Sequence, residues 1–263
     1  MCTGNWRGEV AVENKSWLLG PAVFAALTLV FAVIWLIMPP EALIRNFDDN
    51  GRSPVELLTI VSYFAVIPLV FAFNPFKSRL MPYAVSVIVL MAVVKQLDLH
   101  NALLHAIYPE IVNGEGWISS SAGLVKPNGN PLTGTPFKMR VITNGEVPFG
   151  MKSIVVLYFV MLFGLFGALF AVYFKKWLTG VFKLDATSWA WGSFGGAGVL
   201  AQCADRIPSW LDHSFNLSKN AVDGAVSSAQ SLCTALEEGS EFTMAMLAVL
   251  TILLGYRKLK SLK

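Results

Sequence analysis

Residues 152–174 read KSIVVLYFVMLFGLFGALFAVYF, and this stretch decides the class of protein. From Ser153 to Phe174 it contains no charged side chain. A helix needs about 20 apolar residues to cross roughly 30 Å of hydrocarbon with every backbone group hydrogen-bonded internally. The stretch therefore predicts a membrane-spanning helix.

The composition of the whole chain agrees with this prediction. Of 263 residues, 55% are hydrophobic and 14% are charged, and the mean hydropathy is +0.58. These values leave no room for a separate soluble enzyme domain, so we expect a single transmembrane domain over residues 1–263. The net charge of +3 is small and the basic residues are scattered, which argues against nucleic acid as a partner.

Apolar runs elsewhere in the chain predict further spans. The complete set of predicted spans is 17–38, 54–73, 81–97, 152–174, 189–203 and 242–256. The run 189–203 is shorter than the others and rich in glycine, which fits either a closely packed span or a re-entrant segment. The fold class predicted is all-α, a bundle of about six transmembrane helices.

The distribution of lysine and arginine predicts the orientation of these spans. Short cytoplasmic segments are enriched in both residues. The two terminal segments and the short second and fourth loops hold most of them, whereas the longer first, third and fifth loops hold few. We therefore expect an inner-membrane protein with both termini in the cytoplasm.

Two polar connections are assigned to the outer, periplasmic side. The loop 101–150 contains many turn-forming residues, and the β-prone piece 139–143 suggests a hairpin within it. Apolar residues between 210 and 237 recur at spacings of three and four, which predicts an amphipathic helix at the outer surface.

Ionisable residues at the span ends collect on this outer side. A charge facing lipid near the bilayer centre costs about 2.5 to 3.5 kcal/mol, so such residues turn toward each other or toward water. They predict either a polar pocket open to the periplasm or side chains that extend separately to the interface. The predicted pocket residues are Glu56, Lys95, Asp98, His100, Lys152, Asp205, Arg206, Glu238 and Glu241.

A divalent metal is one ligand that this pocket could take. Asp98, His100 and His105 offer carboxylate and imidazole ligands, but on one continuous helix they would point in divergent directions. All three could ligate one ion only if the helix ended near Leu99. Cys203 and Cys233 are both assigned to the outer side, where they could form a disulfide or remain free thiols.

Three features of the chain carry a resemblance. An acidic turn at Asp48 and Asp49 precedes the second span, an Asp-x-His pattern at Asp98 and His100 ends the third, and an acidic pair precedes the last. This pattern resembles bacterial polytopic inner-membrane proteins and implies no activity. The chain is less similar to the seven-span hydrolases of the alkaline ceramidase and progestin-receptor-like group. It lacks their two late histidines spaced four residues apart, and it has one predicted span fewer.

Three classes of function are compatible with these features. The first, which needs the fewest assumptions, is a noncatalytic membrane subunit or receptor whose outer loop and amphipathic helix bind a protein partner or a second copy of the chain. Membrane lipids are expected partners as well. The second is a metal-dependent hydrolase of a lipid or envelope substrate, with Asp98, His100 and Glu241 as its test residues. The third is an ion- or proton-coupled transporter or channel, with Glu56, Lys95 and Glu241 in its path. The sequence leaves open whether the chain is an enzyme.

Overall fold

The structure, a computed structural model, describes residues 15–48, 53–76, 78–114, 116–125, 129, 131–132, 136–137, 139–215 and 228–261. A short 3-10 helix at Ser16–Leu18 leads into the first α-helix, and another lies at Ser120–Ala122. The α-helices of the described residues are α1 Leu19–Ile37, α2 Pro40–Phe47, α3 Pro54–Phe73, α4 Met81–Gln96, α5 Leu99–Ile107, α6 Met139–Thr143, α7 Phe149–Phe182, α8 Ala186–Phe215 and α9 Ser228–Ser261.

Four helices among the described residues are long and apolar enough to cross a membrane: Ser16–Ile37, Pro54–Phe73, Phe149–Phe182 and Gln230–Ser261. Helices α4 and α5 pass the same test together, although a bend of 70° separates them, so the number rises to five if they form one broken span. The all-α class and the membrane class are thereby confirmed.

Local sequence explains where several helices begin. Pro40 and Pro54 each occupy the first turn of a helix, where a missing backbone N–H costs nothing. Ser53 caps α3: its hydroxyl accepts the Glu56 N–H, and the Glu56 carboxylate accepts the Ser53 N–H at 2.9 Å. This reciprocal capping box fixes the Glu56 side chain at the start of α3.

One expectation about the connections needs correction. The predicted strand 139–143 is the short helix α6, and the backbone pairings in this region are isolated bridges between Val112 and Ile118 and between Val125 and Pro131. Val141 is fully buried, so packing has overridden the β propensity of this piece.

The predicted amphipathic helix 210–237 does not form a separate element in the described chain. Residues 210–215 end α8, residues 228–237 begin α9, and 216–227 lie outside the described residues. Residues 228–261 contain no proline, so nothing interrupts the backbone hydrogen bonds between the polar start of α9 and its apolar remainder.

The chain divides into two compact units, which are described separately. One consists of Met1–Val89 and Tyr173–Lys263, and the other of Leu90–Val172. The second unit has its own hydrophobic core, to which α5, the connecting segment, α6 and the start of α7 all contribute. The buried core residues are Leu104, Ile111, Val112, Ile118, Leu132, Val141, Val147, Met151 and Val155.

Helix α9 is the centre of the first unit, where it packs against α1, α2, α3 and α8. Small residues allow these close approaches. A Cβ on Gly20 of α1 would lie only 2.6 Å from the Ala190 Cα of α8, and a Cβ on Gly239 of α9 would lie 2.5 Å from the Phe31 ring. The glycines therefore set how closely the helices of this unit can pack.

We expect Gly20→Ala to destabilise the protein, because its new methyl group would overlap the backbone of Ala190, which cannot rotate away. Overpacking of this kind costs about 1 to 3 kcal/mol. The measurement is the thermal unfolding midpoint of the protein in detergent. The matched control is Gly195→Ala, since no described atom outside its own helix turn lies within 4 Å of the added carbon. Equal midpoints for the two variants would contradict the packing argument.

Candidate functional site

The candidate site lies at the start of α3 and is completed by α9. Glu56 is 4% exposed and is held by the capping box. The Ser53 hydroxyl, which accepts from the Glu56 N–H, also donates to the Phe47 carbonyl at 2.9 Å. The turn between α2 and α3 is thus tied to the first residues of α3, and the Glu56 carboxylate has a fixed position.

Two further acids join Glu56. Carboxylate oxygens of Asp48, Glu56 and Glu238 all lie within 4.8 Å of one another. Asp48 follows α2 and is exposed, whereas Glu238 lies on α9 and is 8% exposed. We call these three residues the carboxylate cluster. It joins side chains from distant parts of the sequence, and it exists because α9 packs against both α2 and α3.

The cluster has the chemistry of a cation-binding site. Carboxylate oxygens at this spacing are the ligands that calcium, magnesium and manganese prefer. In place of a metal ion, a lysine or arginine side chain can also pair with the negative charge of the cluster. A buried carboxylate is stable only when it is paired or protonated. The described residues bring together no other metal-compatible group of three or more acidic, histidine or cysteine side chains.

Aromatic rings pack beside the carboxylate cluster. Phe31 makes edge-to-face contacts with Phe47 and with Phe242, at ring-centroid distances of 5.7 and 6.0 Å. Phe47 immediately precedes Asp48, and Glu241, which is 7% exposed, precedes Phe242. Asp48 and Glu241 are therefore chain neighbours of residues in a packed apolar layer.

The opposite end of the same unit is basic. The Lys258 ammonium of α9 lies 2.6 Å from the Asp185 carboxylate in the turn between α7 and α8. The rings of Phe73 and Tyr256 lie 4.7 Å apart, which brings the end of α3 to the same place. Glu238 and Lys258 are about 30 Å apart along α9, roughly the thickness of the hydrocarbon layer.

Asp185 is an ion-pairing and capping residue at this basic end. Burial alone would raise the pKa of its carboxyl group, but hydrogen bonds from Lys258 and from the Ser188 hydroxyl and N–H outweigh this effect and hold the pKa below its ordinary value of 3.8. Two indoles tie the neighbouring helices together: Trp177 donates to the Ser188 carbonyl and Trp189 to the Val181 carbonyl.

The predicted pocket residues fall in both units. Glu56 and Glu238 come together, and Glu241 lies one helical turn from Glu238. Asp205 and Arg206 form an exposed ion pair on α8, with 3.6 Å between Arg206 Nε and Asp205 Oδ2. Lys95, Asp98, His100 and Lys152 belong to the unit Leu90–Val172. A single pocket containing all nine residues stays a prediction.

The helix does break near Leu99, as a shared metal site would require. Helix α4 ends at Gln96, Asp98 has a left-handed backbone with φ of +52°, and α5 begins at Leu99. His100 Nε2 lies 3.7 Å from Asp98 Oδ1. His105 does not join them, because the ligand atoms of Asp98, His100 and His105 do not all lie within 4.8 Å of one another; its Nδ1 donates to the Val112 carbonyl oxygen at 2.6 Å.

The two cysteines of the described chain are free thiols, Cys203 exposed and Cys233 buried. The disulfide predicted as one of two alternatives is therefore not formed in this structure. Cys203 lies on α8 and Cys233 on α9, so each can stay in its own helix without a covalent link.

Sequence reasoning left two residues out of the predicted site. Asp48 was assigned to a turn, and its approach to Glu238 depends on packing between helices that are far apart in the sequence. Asn101 donates its side-chain N–H to Asp98 Oδ1 at 2.6 Å. The sequence spacing predicts this contact, since side chains three residues apart on a helix are neighbours.

A search of known protein families finds no matching family model, and searches of characterised proteins and of solved structures likewise find no match. The fold and composition define the class, a polytopic α-helical membrane protein.

We expect Asp185→Asn to lower the thermal unfolding midpoint at neutral pH. Asparagine keeps the capping oxygen but removes the charge that pairs with Lys258. Because the pair is partly exposed, the loss should be below about 1 kcal/mol. The folded pKa lies below 3.8, so the stabilisation is present above that pH and is lost as the pH falls through the folded pKa.

The difference between wild type and Asp185→Asn should therefore be full near pH 6 and shrink in acid. Melting both proteins across the pH range in one detergent checks this, with the exposed Asp205→Asn as the control. A difference that stayed constant or grew in acid would contradict the proposed role of the ion pair.

Proposed function

We propose that this chain is a noncatalytic subunit of the inner membrane, with six spans and cytoplasmic termini, that binds a protein partner on its periplasmic side. The observation that carries the proposal is the independent core of the segment between α5 and α7. A connection longer than about 15 residues is unusual without a role of its own. Here the connection is folded around buried apolar residues, as a binding element must be.

Six spans require two membrane-crossing elements besides the four long apolar helices. Helices α4 and α5 together supply one, as a broken span. Helix α8 supplies the other: its 30 residues extend about 45 Å, enough to cross the bilayer. Helix α8 packs against α9 and α1, and its buried residues are small alanines and serines, so fewer of its residues need to be apolar than on a lipid-facing helix.

The proposed orientation is supported by the charges at the two ends of the first unit. The α7–α8 turn, the end of α3 and the end of α9 lie together, and their exposed basic residues are typical of a cytoplasmic face. The exposed residues that carry this charge are Arg79, Lys175, Lys176, Lys183, Arg257, Lys258 and Lys260. The carboxylate cluster then lies toward the periplasm.

Labelling of single cysteines tests the orientation. In a variant whose native cysteines are replaced by serine, we expect Gly145→Cys to react with a membrane-impermeant maleimide in intact cells and Lys183→Cys to react only after lysis. Both positions are exposed, so access and not burial decides the outcome. Labelling of Lys183→Cys in intact cells would overturn the orientation.

The proposed partner surface includes Trp117. Its side chain is 54% exposed, although two hydrogen bonds fix its backbone: its N–H donates to Asn113 Oδ1 at 2.8 Å, and its carbonyl accepts from the Asn113 N–H. An exposed tryptophan on a rigid backbone is a typical anchor residue of protein interfaces.

Crosslinking in native membranes tests this function. A photoreactive amino acid at Trp117 should give one discrete adduct larger than the monomer, whereas the same amino acid at Phe182, which is 80% exposed in the segment assigned to the cytoplasm, should not. Two differently tagged copies of the chain distinguish a second copy from another protein. The absence of an adduct at Trp117, or equal adducts at both positions, would reject the proposed partner surface.

A further inference from the structure

The break between α4 and α5 brings three metal-binding side chains together within one unit. Asp98 occupies the bend, and His100 and Asn101 follow in the first turn of α5. The Asn101 amide nitrogen lies 2.6 Å from Asp98 Oδ1, and His100 Nε2 lies 3.7 Å from the same oxygen. One carboxylate oxygen is thus close to both an imidazole and a carboxamide.

The His100 nitrogen that lies near Asp98, Nε2, is available to bind a metal ion. Its Nδ1 makes a long contact of 3.4 Å with the Val94 carbonyl oxygen, which can only accept a hydrogen bond. A neutral imidazole with its proton on Nδ1 can donate to this carbonyl, and Nε2 then carries the lone pair. Metal-bound histidines usually have this arrangement, with the second nitrogen bonded to a backbone carbonyl.

A second and independent observation points to a missing ligand. Asn101 is only 8% exposed, yet among the described residues its Oδ1 has no hydrogen-bond partner. An unsatisfied buried acceptor costs roughly 1 to 3 kcal/mol, so such atoms are rare unless something outside the chain pairs with them. The partner must be a cation or a hydrogen-bond donor.

The surroundings hold these side chains in place. The His100 ring stacks on Tyr158 at 5.7 Å and meets the edge of Phe137 at 4.6 Å. A Cβ on Gly116 would lie 2.6 Å from Asn101 Cβ and 3.1 Å from Asp98 Oδ2. The backbone at Gly116 therefore packs directly on Asp98 and Asn101. The Asp98 side chain is 34% exposed, which leaves a path of entry.

We propose that Asp98, His100 and Asn101 bind a divalent first-row transition ion such as zinc. Bonds of about 2.0 to 2.1 Å to His100 Nε2 and Asp98 Oδ1 can bridge their separation. The oxygen of Asn101 binds the ion directly or accepts from a water on it. A mixed nitrogen and oxygen set favours such an ion over calcium or magnesium.

This site revises the metal set expected from the sequence, because Asn101 takes the place of His105. It does not depend on the proposed partner function. The carboxylate cluster of the other unit is composed only of oxygen ligands, so a histidine-dependent signal distinguishes the two groups.

Cobalt binding to the full-length protein tests the proposal. Protein extracted in mild detergent and stripped with a chelator should bind one equivalent of Co²⁺, with visible d–d absorption that Zn²⁺ displaces. Asp98→Asn and His100→Gln should lose both the bound metal and the absorption, and Asn101→Ala should weaken binding about tenfold or more. Asparagine at position 98 also tolerates the left-handed backbone there.

The matched control is His105→Gln, which removes a histidine of the same helix and should leave binding unchanged. Size-exclusion profiles and melting curves identify any variant that fails to fold, and the wild-type titration needs no variant. No stoichiometric metal in the wild-type protein would overturn the site. So would metal retained by folded Asp98→Asn and His100→Gln, or lost with His105→Gln alone. None of these results would affect the crosslinking at Trp117.

Discussion

The close approach of α9 to its neighbours is the constraint on which the first unit depends. In hydrocarbon, lipid tails solvate apolar side chains as well as other helices do, so helices associate through close packing and polar contacts. Gly239 meets the Phe31 ring, and Gly20 meets the backbone of Ala190. Glu238, next to Gly239, comes within reach of Glu56 because α9 also packs against α3.

Charge is separated along the same helix. Its early part contributes Glu238 to the carboxylate cluster, and its last turns contribute Lys258 to the pair with Asp185. The two groups differ in exposure, since Glu238 is buried and Lys258 is half exposed. The buried acids are therefore suited to binding a cation, whereas the Lys258 pair stabilises a helix turn.

The second unit shows how a broken helix can create a polar site. The positive φ of Asp98 stops α4, and the 70° turn into α5 brings His100 and Asn101 back toward the Asp98 carboxylate. Backbone strain of this kind costs energy, and it is often found where side chains must be placed for binding. Folding of the following segment onto α5 then buries Asn101.

The sequence by itself determined the membrane class, the all-α fold, the start of α3 at Ser53 and Pro54, and the acids and histidines from which the sites are built. These follow from composition and from local hydrogen bonding, which neighbouring residues decide. Only the tertiary structure placed Asp48 beside Glu238, turned 139–143 into a helix, joined 228–237 to the last span and exchanged His105 for Asn101. Each of these depends on contacts between residues distant in the chain or on the direction of a helix break. The periodicity of apolar residues in the sequence predicts neither.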